Sequence, residues 1–255
     1  MTETVLITGA TAGLGAEFAR QIAVKGSNLV LVARNSERLK EKAAQLRGKY
    51  SVQVETLAAD LLTDDGVSRV VARLKQSAMP VTTLINNAGY GLTKSFADNA
   101  IETELDHLKI HVEVPLTLSH AALQGMRERR SGHIINVASV AGFTPRGTYG
   151  AAKAAIISFS RWANICYGRE GVNVMALCPG FVHTEFHQWM NVDKKLVPSW
   201  MWLHADDVVA EALRDAARGK AVSIPSVKYK VLVGLSRLLP PALVATLATL
   251  AKRGR

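Results

Sequence analysis

The sequence predicts an α/β fold: a doubly wound parallel sheet with helices on both faces, followed by an amphipathic helical tail. Three observations predict it. Short β-rich runs alternate with longer helical patterns up to about residue 224. Several of those runs are continuously apolar, as in Leu29-Val30-Leu31-Val32, the pattern of strands covered on both faces. A glycine-rich turn follows the first such run and opens the first helical pattern.

The elements follow in order. Residues 4–8 read as a strand, and a helical segment runs from the glycine turn to about residue 25. Residues 28–33 form strand two, and the charged stretch 36–49 a helix. Residues 52–58 are strand three, and 63–78 a helix. Residues 82–86 are strand four, followed by one long helix over 101–129. Residues 133–138 are strand five, 149–169 a helix and 172–178 strand six. A helix over 205–218 and a short strand over 221–224 complete the pattern. Ligands of such sheets bind at the carboxyl ends of the strands, beside the switch in strand order.

A chain of 255 residues suits one domain of this kind. Residues 1–225 are read as that domain and 226–255 as a basic extension of it. Cys166 and Cys178 both fall in apolar periodic segments and read as buried, reduced thiols, with no disulfide framework or metal cluster. No basic n-region precedes the first strand, so no secretory signal is expected. The longest apolar candidate, 238–251, is too short to span a bilayer and contains two prolines. A cytoplasmic protein is the expectation, with the tail able to place it at a membrane.

The net charge is +10, and its distribution is uneven. No acidic residue follows Asp215, whereas eight bases do: Arg218, Lys220, Lys228, Lys230, Arg237, Lys252, Arg253 and Arg255. Val231, Leu232, Leu235, Leu238 and Leu239 recur with helical spacing, as do Leu243, Leu247 and Leu250 beyond Pro240-Pro241. Two readings stay open: these faces lie on an anionic membrane surface, or they pack on the body or another subunit. No aromatic platform or recognition motif supports nucleic-acid binding.

Strand one leads into Thr8-Gly9-Ala10-Thr11-Ala12-Gly13-Leu14-Gly15. Glycines there allow a sharp turn and a close approach to a pyrophosphate, which the new helix meets with free N–H groups and its positive dipole end. Gly9, Thr11, Gly13, Leu14 and Gly15 are therefore the candidate phosphate cradle. At the end of strand two an acid would bind the ribose hydroxyls of NAD. This chain has Ala33-Arg34-Asn35. A guanidinium pairs with a 2′-phosphate that an acid would repel, so Arg34 predicts NADP(H). Arg38, one turn on, either assists or is simply exposed. Asp60 and Leu61 after strand three would sit at the adenine end. Asn87, Ala88 and Gly89 after strand four would lie beside the ribose.

Tyr149 and Lys153 are four apart on a helix and share a face. An ammonium beside the phenol, with the positive nicotinamide of the oxidised cofactor, is expected to lower the tyrosine pKa. Tyr149 then gives a proton to a carbonyl oxygen and takes it back in reverse. Ser139, at the end of strand five, would hydrogen-bond the same oxygen.

With the glycine triplet, Asn86-Asn87-Ala88-Gly89, Ser139, Tyr149-x-x-x-Lys153 and Pro179-Gly180 followed by Thr184, the chain resembles the short-chain dehydrogenase/reductase family over roughly residues 4–224. The resemblance implies a Rossmann-like fold and NADPH-dependent reduction of a carbonyl, or oxidation of a secondary alcohol. It also implies that Lys153 holds the nicotinamide ribose, that Pro179, Gly180, Val182 and Thr184 hold the nicotinamide end, and that the protein is a dimer or tetramer. One position departs. The family commonly places an asparagine in a proton relay where this chain has His111. An imidazole can also hold a water and carry a proton, so His111 is a fourth candidate catalytic residue; the alternative is a helix histidine bonded to backbone.

Residues 181–203 form the family's substrate lid. Here they include Phe186, Trp189, Met190, Trp200, Met201 and Trp202, so a hydrophobic substrate is expected; the same residues are equally suited to lid packing or an interface. The arginine after strand two and the basic apolar tail make the chain loosely similar to family members that reduce long-chain 3-oxoacyl lipids or act on hydroxysteroids, which implies a lipid- or steroid-like substrate. The competing functional reading is a non-catalytic NADP-binding sensor or membrane-associated scaffold.

Overall fold

The computed structural model describes residues 3–184, 197–236 and 238–240. Among them seven strands form one parallel sheet in the order β3-β2-β1-β4-β5-β6-β7. The strands are β1 Thr4–Thr8, β2 Asn28–Ala33, β3 Val54–Ala58, β4 Thr83–Asn86, β5 Gly132–Val137, β6 Val172–Leu177 and β7 Val222–Ser223. Parallel neighbours need crossovers, and the long periodic segments supply them as helices on the two faces. These are α1 Gly13–Val24, α2 Ser36–Tyr50, α3 Asp64–Leu74, α4 Ile101–Leu108, α5 Val114–Glu128, α6 Gly147–Gly168 and α7 Ala205–Ala217.

Each face has its own core. One gathers Phe18, Leu31, Leu39 and Val209 beneath α1, α2 and α7. The other gathers Leu84, Leu118, Met126 and Ile134 beneath α3 and α5. Every residue of β1 is buried, as a central strand covered on both sides must be. The strand order reverses between β1 and β4, and the crevice at their carboxyl ends is the ligand position of such sheets.

A polar cluster sits inside the second layer. Asn86 Nδ2 donates to Asn136 Oδ1 at 2.8 Å and to Ser119 Oγ at 3.2 Å. Asn136 Nδ2 donates to Ser160 Oγ at 3.0 Å. All four residues are buried, so β4, β5, α5 and α6 are locked in register by groups that have no water to turn to.

Two sequence expectations change, and the first tail helix docks by a face that the leucine pattern did not mark. The helix expected over 101–129 is two α-helices joined by a π-helical turn, Lys109–Glu113, in which Val114 N donates to Lys109 O. Pro115 accounts for it. Proline has no N–H for the carbonyl four residues back, that of His111, and its ring collides with that carbonyl in a regular helix.

Cys178 is buried as expected, but Cys166 is exposed, on the outward row of α6 with Trp162 and Ile165.

The first tail helix, α8 Val227–Ser236, docks by Tyr229 and Val233, not by the leucine row. Val231, Leu235 and Leu238 are 55%, 52% and 82% exposed. A tyrosine outside the aliphatic pattern supplies the inward contact, and that turns the row toward solvent. The second expected tail helix, with Leu243, Leu247 and Leu250, lies outside the described residues. Among the described residues no helix is long and apolar enough to cross a membrane.

Asn136→Ala is expected to remove the Asn86 and Ser160 bonds to Asn136, leaving Asn86 only Ser119 and the Pro115 carbonyl, and to cost about 2–4 kcal/mol. A thermal melt should show a midpoint lower by roughly 5–15 °C; an unchanged midpoint would mean that the cluster does not hold the register.

Candidate active site

The carboxyl ends of β1 and β4 are tied together first. Thr8 Oγ1 accepts from Asn87 N at 2.9 Å and Ala88 N at 3.0 Å. Asn87 Nδ2 returns to Thr8 O at 2.9 Å and Gly9 O at 3.2 Å. Thr8 was not singled out in the sequence, although it stands directly before the glycine turn. Gly9 and Gly13 take positive φ values of 66° and 52°. A Cβ on Gly15 would overlap the Gly9 carbonyl and the Asn87 amide. Thr11 and Leu14 are half-buried in the same turn. The turn thus brings the N-terminus of α1 against the sheet edge, with no room for side chains where a backbone-bound anion would lie.

Arg34 is exposed at the end of β2 and makes no ion pair among the described residues. Asp60 Oδ1 accepts from Leu62 N at 3.0 Å. β2 and β3 end in register at Ala33 and Ala58, so Arg34 and Asp60 follow the same edge of the sheet. Leu61 points into the core with Val70 and Leu74, so its side chain is packing.

The other loops converge from the far side. Val140 N donates to Pro179 O at 3.0 Å, which joins the Ser139 loop to the loop after β6. Thr184 stands against Gly13, its Cβ 3.3 Å from where a Cβ on that glycine would be. Val182 is buried and bridges to Leu203. Leu203 N donates to Phe181 O at 2.8 Å and His183 N to Leu203 O at 3.0 Å, so the two feet of the lid are zipped together. Trp202 is buried, with its ring stacked on His183 at 4.8 Å and tilted against Phe181 at 5.6 Å. Phe186, Trp189 and Met190 lie outside the described residues.

Ser139, Tyr149 and Lys153 come together where β5 meets α6. Ser139 caps the short turn after β5 by accepting from Ala141 N at 3.1 Å. Lys153 Nζ donates to Val137 O at 2.7 Å and lies 5.7 Å from the Tyr149 ring centre. Burial pushes the Tyr149 phenol up to about 12, although a side-chain hydrogen bond with Ser139 and the charge of Arg146 pull the other way. Burial pushes the Lys153 ammonium down to about 7. The expected lowering of the phenol by its lysine neighbour is therefore corrected for the protein alone. Lys153 turns its donor to a backbone carbonyl, and desolvation outweighs what positive charge is present.

His111 sits on the π-turn. Its Nε2 bonds the Tyr90 carbonyl at 2.7 Å, while Nδ1 is buried with no protein partner. Its ring stands edge-on to Tyr149 at 5.6 Å. His107, one turn earlier, is fully buried, with neither ring nitrogen bonded, 4.5 Å from the His111 ring and 5.9 Å from that of Tyr149. Burial lowers the pKa of both imidazoles. Behind them Glu104 is held by Asn99 and Thr148, each at 2.6 Å. His107 escaped the sequence reading because helical spacing alone does not separate a core histidine from a site histidine.

The chain matches the family described as short chain dehydrogenase over residues 3–195. It is 36% identical over 192 residues to a sulfoacetaldehyde reductase of Chromohalobacter salexigens, covering 73% of this chain and 75% of the relative. It superimposes on a short-chain dehydrogenase from Sphingobium yanoikuyae in complex with NADPH with a TM-score of 0.84 at 33% identity, over 92% of this chain and 94% of that one. A bulky-bulky ketone specific alcohol dehydrogenase from Comamonas testosteroni gives 0.80 at 29% identity over 92% of each chain.

The buried lysine carries a pH signature. Its pKa falls from 10.5 in the unfolded chain to about 7 in the fold. Between those values the unfolded state binds more protons, so stability rises with pH from 7 toward 10. The raised phenol acts later, withdrawing stability above pH 10. Denaturant melts of the cofactor-free protein should show the rise over pH 7–10, and Lys153→Met should flatten it; equal slopes would overturn the assignment.

Proposed function

The chain belongs to the short-chain dehydrogenase family of oxidoreductases, and from that premise we propose that it is an NADP(H)-dependent reductase of hydrophobic ketones. The observation that carries this reading is the convergence of Ser139, Tyr149 and Lys153 on the edge where the glycine turn and the 179–184 loop also meet. The residues present fit the cofactor. A Cβ on Gly9 or Gly15 would strike the Asn87–Ala88 turn or the Gly9 carbonyl, so only glycine lets the N-terminus of α1 lie this close to the strand ends, and Arg34 is exposed without an ion-pair partner among the described residues to meet a 2′-phosphate. Gly9, Thr11, Gly13, Leu14 and Gly15 would hold the pyrophosphate. Asp60 and the backbone at Leu61 would border the adenine. Asn87, Ala88, Gly89, Tyr149 and Lys153 would border the nicotinamide ribose, and Pro179, Gly180, Val182 and Thr184 the amide.

NADPH supplies the hydride when bound. Tyr149 donates its phenolic proton to the substrate oxygen, and Ser139 holds that oxygen by its hydroxyl. In the oxidising direction Tyr149 accepts the proton back. Lys153 Nζ, bonded to the Val137 carbonyl and 5.7 Å from the Tyr149 ring centre, would hold the nicotinamide ribose. His111 fixes the turn after β4 through the Tyr90 carbonyl, and its buried Nδ1, which has no protein partner, is the nitrogen left to bond a relay water.

The substrate class rests on the apolar lid and on the likeness to an enzyme named for bulky ketones. Phe181 and Trp202 are committed to packing the lid foot, which leaves Trp200, 56% exposed, as the exposed aromatic of that segment among the described residues. The outward row Val231, Leu235 and Leu238 is assigned to contact outside the protomer, with a second subunit or a bilayer.

Tyr149→Phe is expected to lower turnover of apolar ketones by about 10²–10⁴ with NADPH binding retained; equal turnover would favour the sensor reading. Fluorescence titration should show NADPH bound at least about tenfold more tightly than NADH, a gap of roughly 1.4 kcal/mol. Arg34→Asp should abolish that gap, and a gap that persists would remove Arg34 as the phosphate clamp. His111→Ala should slow turnover while NADPH still binds, and unchanged turnover would end its role.

A further inference from the structure

Tyr229 lies eighty residues from Tyr149 in sequence, in a helix that the motif reading left outside the site. Its ring is buried against Gly180, so closely that a Cβ on that glycine would overlap it. Its hydroxyl accepts from Phe181 N at 3.0 Å and donates to Met201 O at 2.7 Å. One phenol therefore joins the two feet of the lid and the loop that starts at Pro179.

The helix that carries it is fixed from other sides. Lys228 Nζ donates to the Trp200 carbonyl and, at 3.5 Å, to that of Trp202. Lys230 pairs with Glu211 of α7 at 2.6 Å, and Ser226 N donates to the same carboxylate at 3.1 Å. The loop it grips is the one whose Pro179 carbonyl accepts from Val140 N beside Ser139.

We propose that Tyr229 is a positioning residue, through which the C-terminal helix sets how the 179–184 loop and the lid feet hold the nicotinamide end of NADP(H). The inference rests on the cofactor reading above. Removing the hydroxyl leaves the ring in place but strands one N–H and one carbonyl at the base of the loop. Small displacements at such a support are felt at the reacting centre. The adenine end would lie at β2 and β3 with Arg34, on the opposite side of the switch point from β6, and is expected to stay unaffected.

The test is Tyr229→Phe in the full chain, titrated with NADPH and with 2′,5′-ADP, which carries the 2′-phosphate but no nicotinamide. The expected result is NADPH binding weakened by about tenfold with 2′,5′-ADP affinity unchanged, a selective loss that general destabilisation does not produce. Equal weakening of both ligands, or of neither, overturns the inference. Hydrogen exchange without ligand reads the tether independently of the cofactor. The Phe181 amide should exchange about tenfold faster in the variant, with the Ile85 amide in the core unchanged. If wild-type protein binds neither ligand, the cofactor reading fails, and the Phe181 amide alone then decides whether the tether exists. Should Tyr229→Phe not fold, Lys228→Met removes the companion bonds and keeps the ring. It should show the same selective loss in smaller degree, and no such loss overturns the inference.

Discussion

The Thr8 hydroxyl is the contact on which the rest of the site is assembled. A parallel sheet whose order reverses between β1 and β4 opens a crevice there, because successive crossovers leave in opposite directions. Left alone, the backbone at the two strand ends would splay toward water. Thr8 accepts two N–H groups from the β4 turn, and Asn87 returns two bonds to the β1 turn. The clamp fixes the glycine turn, and so the direction of α1, before any ligand arrives. Preorganised donors of this kind do not have to be ordered at the moment of binding.

The second constraint is desolvation. Tyr149 and Lys153 lie four residues apart, and burial moves both pKa values toward the neutral form. A proton donor is useful when it is protonated and aimed, and a buried phenol near 12 is protonated throughout the neutral range. Ser139 and Arg146 oppose that shift without reversing it. The buried His107 and His111 are held toward neutrality by the same physics, with the lysine charge adding to it. The π-turn that presents His111 follows from Pro115, whose missing N–H a regular helix would need.

The loop after β6 is tied to the segment before α7. Phe181, His183, Met201 and Leu203 are joined by backbone bonds and by the Tyr229 phenol. These bonds keep the loop after β6 in place. They also make the first helix of the basic extension part of the framework rather than an appendage.

The alternation of apolar strands with helices, the glycine turn, Arg34 and the Tyr149–Lys153 spacing were all legible in the sequence, because each depends on local geometry or on a single residue's chemistry. The strand runs were found by their unbroken apolarity, and the structure extends or trims them by a residue or two. Pro115 was visible too, and its effect on the long helix is readable from proline chemistry alone. Other features depend on what folding brings together. Thr8 looks like any strand-end threonine until β4 is beside it. His107 has ordinary helical spacing until His111, Tyr90 and Tyr149 surround it. The leucine row of α8 has the right period to face inward, yet it faces solvent because Tyr229 finds a partner in Gly180. The sequence by itself determined the family, the sheet and the candidate reactive side chains, since these follow from periodicity, motif and residue type. Only the tertiary structure decided the direction of the tyrosine and lysine pKa shifts, the face on which the tail helix docks and the tether of the lid, because burial and long-range hydrogen bonds exist only once distant segments have met.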